Sequence, residues 1–222
     1  MSAPRPSLLD TARERVVIFD SATGTGLQGF RLTPDDFGGL DGCNEYLNLC
    51  NPDVVRRLHR LNLDAGVDAV LTNSFGASAI TLAEYDLADR AHEINAAAAS
   101  LAREAADERS AGDGRPRWVV GSMGPGTKLP SLGQIDFDSL SAAYREQARG
   151  LLDGGADALL VETVYDLLQG KAAILGAQDA CAEAGREVPI LVSVTIETTG
   201  QMLVGSEIGA AVAALVPLGI DA

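Results

Sequence analysis

The chain has 222 residues, with 31 acids against 17 bases for a formal charge of −14, and is 46 % hydrophobic but only 5 % aromatic. That field repels nucleic acid and anionic membrane surfaces, and no basic run overrides it locally. The length suits one large domain or two small ones.

Residues 1–15, MSAPRPSLLDTARER, contain no apolar segment of a secretory signal and read as an N-terminal extension. No apolar run approaches the ~20 residues of a membrane span. The three cysteines, Cys43, Cys50 and Cys181, are an odd, sparse set that fits a reducing cytoplasm better than a disulfide framework.

The first strand is predicted at 15–20 (RVVIFD). Gly24, Gly26 and Gly29 follow it with the spacing G-x-G-x-x-G, the fingerprint of a dinucleotide-binding unit. In such a unit the first glycine follows the strand almost directly and a helix begins within the motif. Here Asp20-Ser21-Ala22-Thr23 intervene, no helix is expected after Gly29, and the next strand comes only near Ala69. The charge is also wrong. At ~6 Å and an effective dielectric of ~20, the Asp20 carboxylate opposes a pyrophosphate by roughly 5 kcal/mol, and it attracts an ammonium at ~4 Å by roughly 4 kcal/mol. Asp20 therefore suits an amine-bearing ligand, and the glycines read as a tight loop.

Further strands are predicted at 68–75, 117–123, 157–164 and 189–196. Their nearly unbroken apolar character is that of parallel strands buried on both faces. Helices alternate with them. One opens with Asn51 as N-cap and Pro52 at its first position. The others are expected over about Ile80 to Glu108, behind a cap at Asp138 with Leu140, Tyr144, Leu151 and Leu152 on one face, from about Asp166 to Ala184, and behind Ser206 with Ile208, Val212 and Leu215. GSMGPGTK (121–128) resembles a phosphate loop but lacks Gly-Lys-Ser/Thr, and its length marks a functional loop rather than a short connection.

An internal repeat, Gly-x-Asp-Ala, recurs at Gly66, Gly155 and Gly219, about two β/α units apart each time. Each glycine can close a helix in the left-handed conformation, and each Asp-Ala then begins a strand. The alternation of two kinds of strand start is what a closed eight-stranded barrel shows, although a doubly wound sheet stays open as an alternative. The third copy ends the chain, and a (β/α)₈ barrel usually needs ~250 residues. The expected architecture is an α/β TIM-type barrel over residues 16–222, truncated after about five strands with the sixth just begun.

In a barrel the strand ends meet at one mouth. They bring together Asp20, Thr72-Asn73-Ser74, Ser122, Glu162-Thr163, Thr195 and Glu197, a ring of acids and hydroxyls. Such a ring suits a small zwitterion whose ammonium meets carboxylates and whose carboxylate meets backbone N–H groups. His59 and His92 lie mid-helix without ligand spacing, the three cysteines have no zinc spacing, and Ser21 or Ser122 has no neighbouring His to make it a nucleophile. No catalytic residue is assigned.

The stretches FDSATGTGLQ, GCNEYLNL, TNSFGAS, GSMGPGTKLPSLG, GGADALLVET and SVTIETTGQMLVGSEIGAA, in this order from Phe19 to Ala211, together resemble the homocysteine-binding module of the cobalamin-dependent methionine synthase family. The resemblance implies a (β/α)₈ barrel that holds homocysteine at its C-terminal mouth and activates its thiol on zinc. Methyl then comes from methylcobalamin, with folate- and cobalamin-binding modules as partners. Asp20 and Glu162 match the acids that hold the amino group, Asn73 and Ser74 the strand end lining the pocket, and the backbone around Ala22 and Thr23 the carboxylate site. The family's D-G-A-M-G-T reads D-S-A-T-G-T here, with Ser21 and Thr23 as departures. The family's zinc cysteines lie at the end of strand six and in a later Cys-Cys pair, neither within these 222 residues. A free thiol with pKa ~8.5 is only a few per cent thiolate at pH 7, so the chain alone is expected to bind the amino-acid end without activating sulfur. The same barrel serves enzymes using betaine or S-methylmethionine, and a degenerate amino-acid-binding relic is a further alternative.

Overall fold

The computed structural model describes residues 5–20 and 22–222. In chain order, helices α1 (Leu8–Glu14), α2 (Thr23–Gln28), α3 (Leu47–Cys50) and α4 (Pro52–Ala65) precede strand β1 (Ala69–Leu71). Helices α5 (Ala79–Leu82) and α6 (Ala91–Asp113), β2 (Trp118–Met123), α7 (Phe137–Asp153), β3 (Ala158–Val164), α8 (Leu167–Ala184), β4 (Ile190–Val194) and α9 (Ile208–Leu215) follow. The strands form one parallel sheet in the order β1-β2-β3-β4. A doubly wound sheet reverses its strand order at a switch point. This sheet runs in sequence throughout, as a barrel wall does.

Alternate side chains sort to two faces. Ala69, Leu71, Trp118, Val120 and Ala158 form an inner cluster with Val17, Phe19, Leu160 and Leu191. Leu8 of the extension joins this cluster, and Trp118 Nε1 donates to Pro6 O at 3.0 Å, so the extension packs beneath the strand starts. Leu159, Val161 and Val164 face outward into the main core with the buried faces of α7 and α8. Leu140, Tyr144, Leu151 and Leu152 of α7 are all buried there, as expected. The helices approach closely because glycine lines their contacts. A Cβ on Gly150 of α7 would lie 2.6 Å from His92 O of α6, and one on Gly176 of α8 would lie 2.6 Å from Ser141 O of α7.

The Gly-x-Asp-Ala repeat has a physical cause. Gly66, Gly155 and Gly219 all take positive φ, of 103°, 97° and 78°. Each following aspartate then accepts a backbone N–H near the start of the neighbouring parallel run: Asp68 from Ile18 at 3.0 Å, Asp157 from Val119 at 2.8 Å and Asp221 from Ile190 at 2.9 Å. The repeat is a register pin between neighbouring strands. Asp221 N also donates to Ile190 O, and Val192 N to Ala222 O, so the last two residues lie alongside β4.

Several expectations are corrected. The run at 15–20 makes a single parallel bridge, Phe19 to Ala69, instead of a full strand. It pairs along one side only, and the Asp68 side chain takes the Ile18 N–H that a ladder would use. The glycine motif is not merely a tight loop, since α2 forms inside it. A Cβ on Gly26 would lie 2.6 Å from Leu58 Cδ1 of α4, so a larger residue there would have to displace that methyl. The long helix at 80–108 is interrupted by left-handed Asp86 (φ 57°), with α6 starting only at Ala91. The cap of α7 is Asp136, which accepts from Ser139 N, and not Asp138. Asn51 occupies the N-cap of α4, but its side chain makes no capping bond. On α9, Ile208 and Val212 are exposed, and Ala211 and Leu215 form the buried face.

Candidate functional site

A cavity of about 330 Å³ opens at the C-terminal ends of the strands. It is lined by Ala22, Thr23, Asn73, Ser74, Ser122 and Glu162, six of the positions expected from the strand ends and first loop, together with Glu45 and Phe75. Each reaches the mouth for a local reason. Ser122 and Glu162 continue the inward rows Trp118-Val120 and Ala158-Leu160 by one more step of the strand period. Ala22, in the left-handed conformation (φ 57°, ψ 44°), turns the chain from the first parallel run into α2.

Ser122 Oγ donates to Glu162 Oε1, which fixes the carboxylate against β2. Burial pushes the Glu162 carboxyl above its ordinary range, and the Ser122 bond pulls it partly back. The Asn73 and Ser74 side chains are committed within the wall. Asn73 Nδ2 donates to Asn44 O at 2.7 Å and Asn48 Oδ1 at 3.1 Å, and Ser74 Oγ donates to Ser122 O at 2.8 Å. They shape the cavity more than they offer free groups to it.

Asp20 lies behind this wall, and the cavity lining does not include it. Its Oδ1 accepts Leu71 N at 2.7 Å and its Oδ2 accepts Asn62 Nδ2 at 2.9 Å. Burial raises its pKa to about 6 against these two bonds, and Glu162 adds a smaller push in the same direction. Asp20 and Glu162 thus stand at the same end of the sheet and sense each other's charge. Ser21, named above as a departure in the first loop, lies outside the described residues. Thr195 and Glu197 follow β4, and Glu197 is exposed in a turn closed by its N–H to Gln201 O; neither lines the cavity.

Glu45 was not anticipated as a site residue. It precedes α3, lines the cavity, and its Oε1 accepts Gly76 N at 2.8 Å, pinning the loop after β1. Burial raises its pKa as well. The lining thus carries two carboxylates and, among the described residues, no Lys, Arg or His. It favours a cationic group and offers no side-chain cation to a phosphate.

The cysteines occupy three separate places. Cys43 is buried under α6, its thiol pushed up to about 11 by burial, Cys50 Sγ donates to Asp36 O, and Cys181 lies on α8. This set does not fit zinc, which takes convergent thiolate or imidazole ligands. His92 Nε2 lies 2.8 Å from Asp153 Oδ2 on the helical surface, and His59 is buried in α4 with neither ring nitrogen bonded among the described residues.

Comparison with known proteins agrees with the fold. The chain is 54 % identical to the methionine synthase of Mycobacterium tuberculosis and 53 % identical to that of Mycobacterium leprae, each over 96 % of its length. It spans 18 % of the length of either relative. Among solved structures, the homocysteine methyltransferase MmuM from Escherichia coli superposes with a TM-score of 0.77 in its metallated form and 0.70 in its apo form. Sequence identity there is 21 %, and the metallated match covers 96 % of this chain and 74 % of that one. The sequence profile of the homocysteine S-methyltransferase family matches residues 17–222. The chain belongs to the homocysteine S-methyltransferase family.

Proposed function

We propose that residues 16–222 form the amino-acid-holding part of a methionine synthase, which binds homocysteine at the strand ends, and that residues 1–15 are an N-terminal extension. The observation that carries this reading is the cavity lined by Glu162 and Glu45 without a side-chain cation among the described residues. The ammonium of the substrate meets Glu162, whose carboxylate Ser122 holds in place. The buried charge of Asp20 adds to the field from behind. The substrate carboxylate meets backbone N–H groups around Ala22 and Thr23, and Asn73 and Ser74 form the wall between them.

The whole enzyme would work in the cytoplasm with folate- and cobalamin-binding modules as partners. Zinc would supply thiolate activation and methylcobalamin the methyl group. The thiols of this chain do not fit the zinc, so the chain's own part is to bind and orient the amino acid. The identity to two methionine synthases favours this reading over the betaine or S-methylmethionine donors and over a relic without catalysis.

Isothermal calorimetry with homocysteine and with methionine tests the pocket. Binding of either, weakened in Glu162→Gln, supports the reading. Absence of heat from both ligands overturns it.

A further inference from the structure

Two of the described residues that take positive φ without being glycine are Ala22 (φ 57°), which lines the cavity after the first parallel run, and Thr163 (φ 60°), which follows the lining residue Glu162 in β3. Thr163 is the more unusual, because a β-branched side chain is crowded in the left-handed region. Glycine would take the same conformation without that crowding. Strain of this kind persists only where the surroundings over-determine it, and it gathers at functional sites.

The strain has a visible consequence. Val161 pairs with Val192 and Val164 with Val194, so Glu162 and Thr163 together face the single residue Ser193. This is a bulge in a parallel pair, where bulges are rare. Before it, Ala158 and Leu160 point inward while Leu159 and Val161 point outward. Unbroken alternation would send Val164 inward beside Glu162. Instead Val164 joins the outer core, so close to α8 that a Cβ on Gly170 would lie 2.8 Å from its Cγ1. Thr163 N donates to Ser193 Oγ at 3.3 Å, and Val164 O accepts Thr195 N at 2.9 Å. The extra residue therefore keeps Glu162 on the inner row at the mouth while returning the chain to the helix layer.

We propose that Thr163 is a positioning residue: its left-handed backbone builds the bulge that holds the Glu162 carboxylate against Ser122 and into the cavity, where a ligand ammonium binds. The ligand part of this inference rests on the function proposed above; the placement of Glu162 does not.

The experiment compares Thr163→Gly and Thr163→Asn, which accept the left-handed region, with Thr163→Ile and Thr163→Pro, which resist or forbid it. Two quantities are read in the 222-residue chain. One is the titration of the Glu162 carboxyl by ¹³C NMR without ligand, assigned with Glu162→Gln. The other is methionine affinity by calorimetry. Gly and Asn should melt at or above the parent's temperature, keep the raised Glu162 titration, and bind within about threefold of the parent. Ile should bring the Glu162 titration toward its ordinary range and weaken methionine by about tenfold or more, and Pro should do so further if it folds. Parent-like titration and affinity in Ile overturn the proposal, as does loss of both in Gly and Asn. If the parent binds no methionine, the ligand reading fails, and the Glu162 titration series still decides the positioning role.

Discussion

Asp20 Oδ1 accepts the Leu71 backbone N–H at 2.7 Å, so the carboxylate that closes the first parallel run is stitched into the next strand and kept from water. Its carboxyl is raised to about 6. Between about pH 4 and 6 the folded chain therefore holds a proton that the unfolded chain has released, and the Asp20 contribution to stability rises as pH falls. His59 works in the opposite sense. Burial without a partner lowers its pKa to about 4, so below about pH 6.5 the unfolded chain takes up a proton that the folded chain refuses.

Each shift corresponds to about 3 kcal/mol between the ends of its window. Urea denaturation from pH 4 to 7 separates the two. Relative to the parent, Asp20→Asn should lose stability on acidification and His59→Leu should gain it. Glu45 and Glu162 push in the same direction as Asp20, so differences from the parent are the quantity to read. A His59→Leu profile parallel to the parent would show that the imidazole is not buried.

The Gly-x-Asp-Ala pins give a second expectation. Asp157 accepts Val119 N and also pairs with Arg5 at 2.8 Å and Arg103 at 2.7 Å. Asp157→Ala strands the Val119 N–H, while Arg5 and Arg103 keep Asp107 at 2.7 and 2.9 Å, so the loss should be about 1–3 kcal/mol. Asp157→Asn retains an acceptor and should lie between it and the parent. Equal denaturation midpoints for all three would remove the pin from the argument.

Much of this architecture is legible locally. The repeat is visible as letters because a left-handed glycine and a capping aspartate are demands of single positions. Asn73, Ser74, Ser122 and Glu162 could be named because strand ends in a barrel share one mouth, and Ala22 and Thr23 through the family resemblance of the first loop. Features that depend on distant neighbours were less visible. The apolar run at 15–20 has the composition of a buried strand, yet Val16 and Ile18 are 81 % and 56 % exposed because the run pairs on one side only. Glu45 sits in a 3-10 turn (Asn44–Tyr46) between the first run and β1, and its only sequence signal is an acid inside GCNEYLNL. The bulge at Glu162–Thr163 leaves no mark in the letters, since threonine is an ordinary strand residue.

Glycines on α7 and α9 separate packing from propensity. A Cβ on Gly154, which caps α7, would lie 2.6 Å from Ala99 Cβ and still closer to Ala96 O, a backbone atom that cannot swing away. Gly154→Ala should destabilise by about 1–3 kcal/mol through overpacking. Gly209 in α9 has no neighbour within 4 Å, so Gly209→Ala should stabilise by about 0.5–1 kcal/mol through helix propensity. A Gly154→Ala midpoint at or above the parent's would contradict the close approach of α6 and α7.

The last expectation concerns the sides of the sheet. Val16 and Ile18 are exposed on the first run, while Ile208, Val212 and Val216 (51 %, 54 % and 54 % exposed) form a stripe at and just beyond α9. Positions spaced by four lie on one helical face, so the stripe is continuous. Exposed apolar surfaces and unpaired strand edges recruit other chains, and a lysine placed on either suppresses this. Sedimentation velocity over a range of concentrations should show self-association of the 222-residue chain, reduced by Ile18→Lys combined with Val212→Lys. Sedimentation of the parent as a monomer at every concentration would show that these surfaces do not drive association.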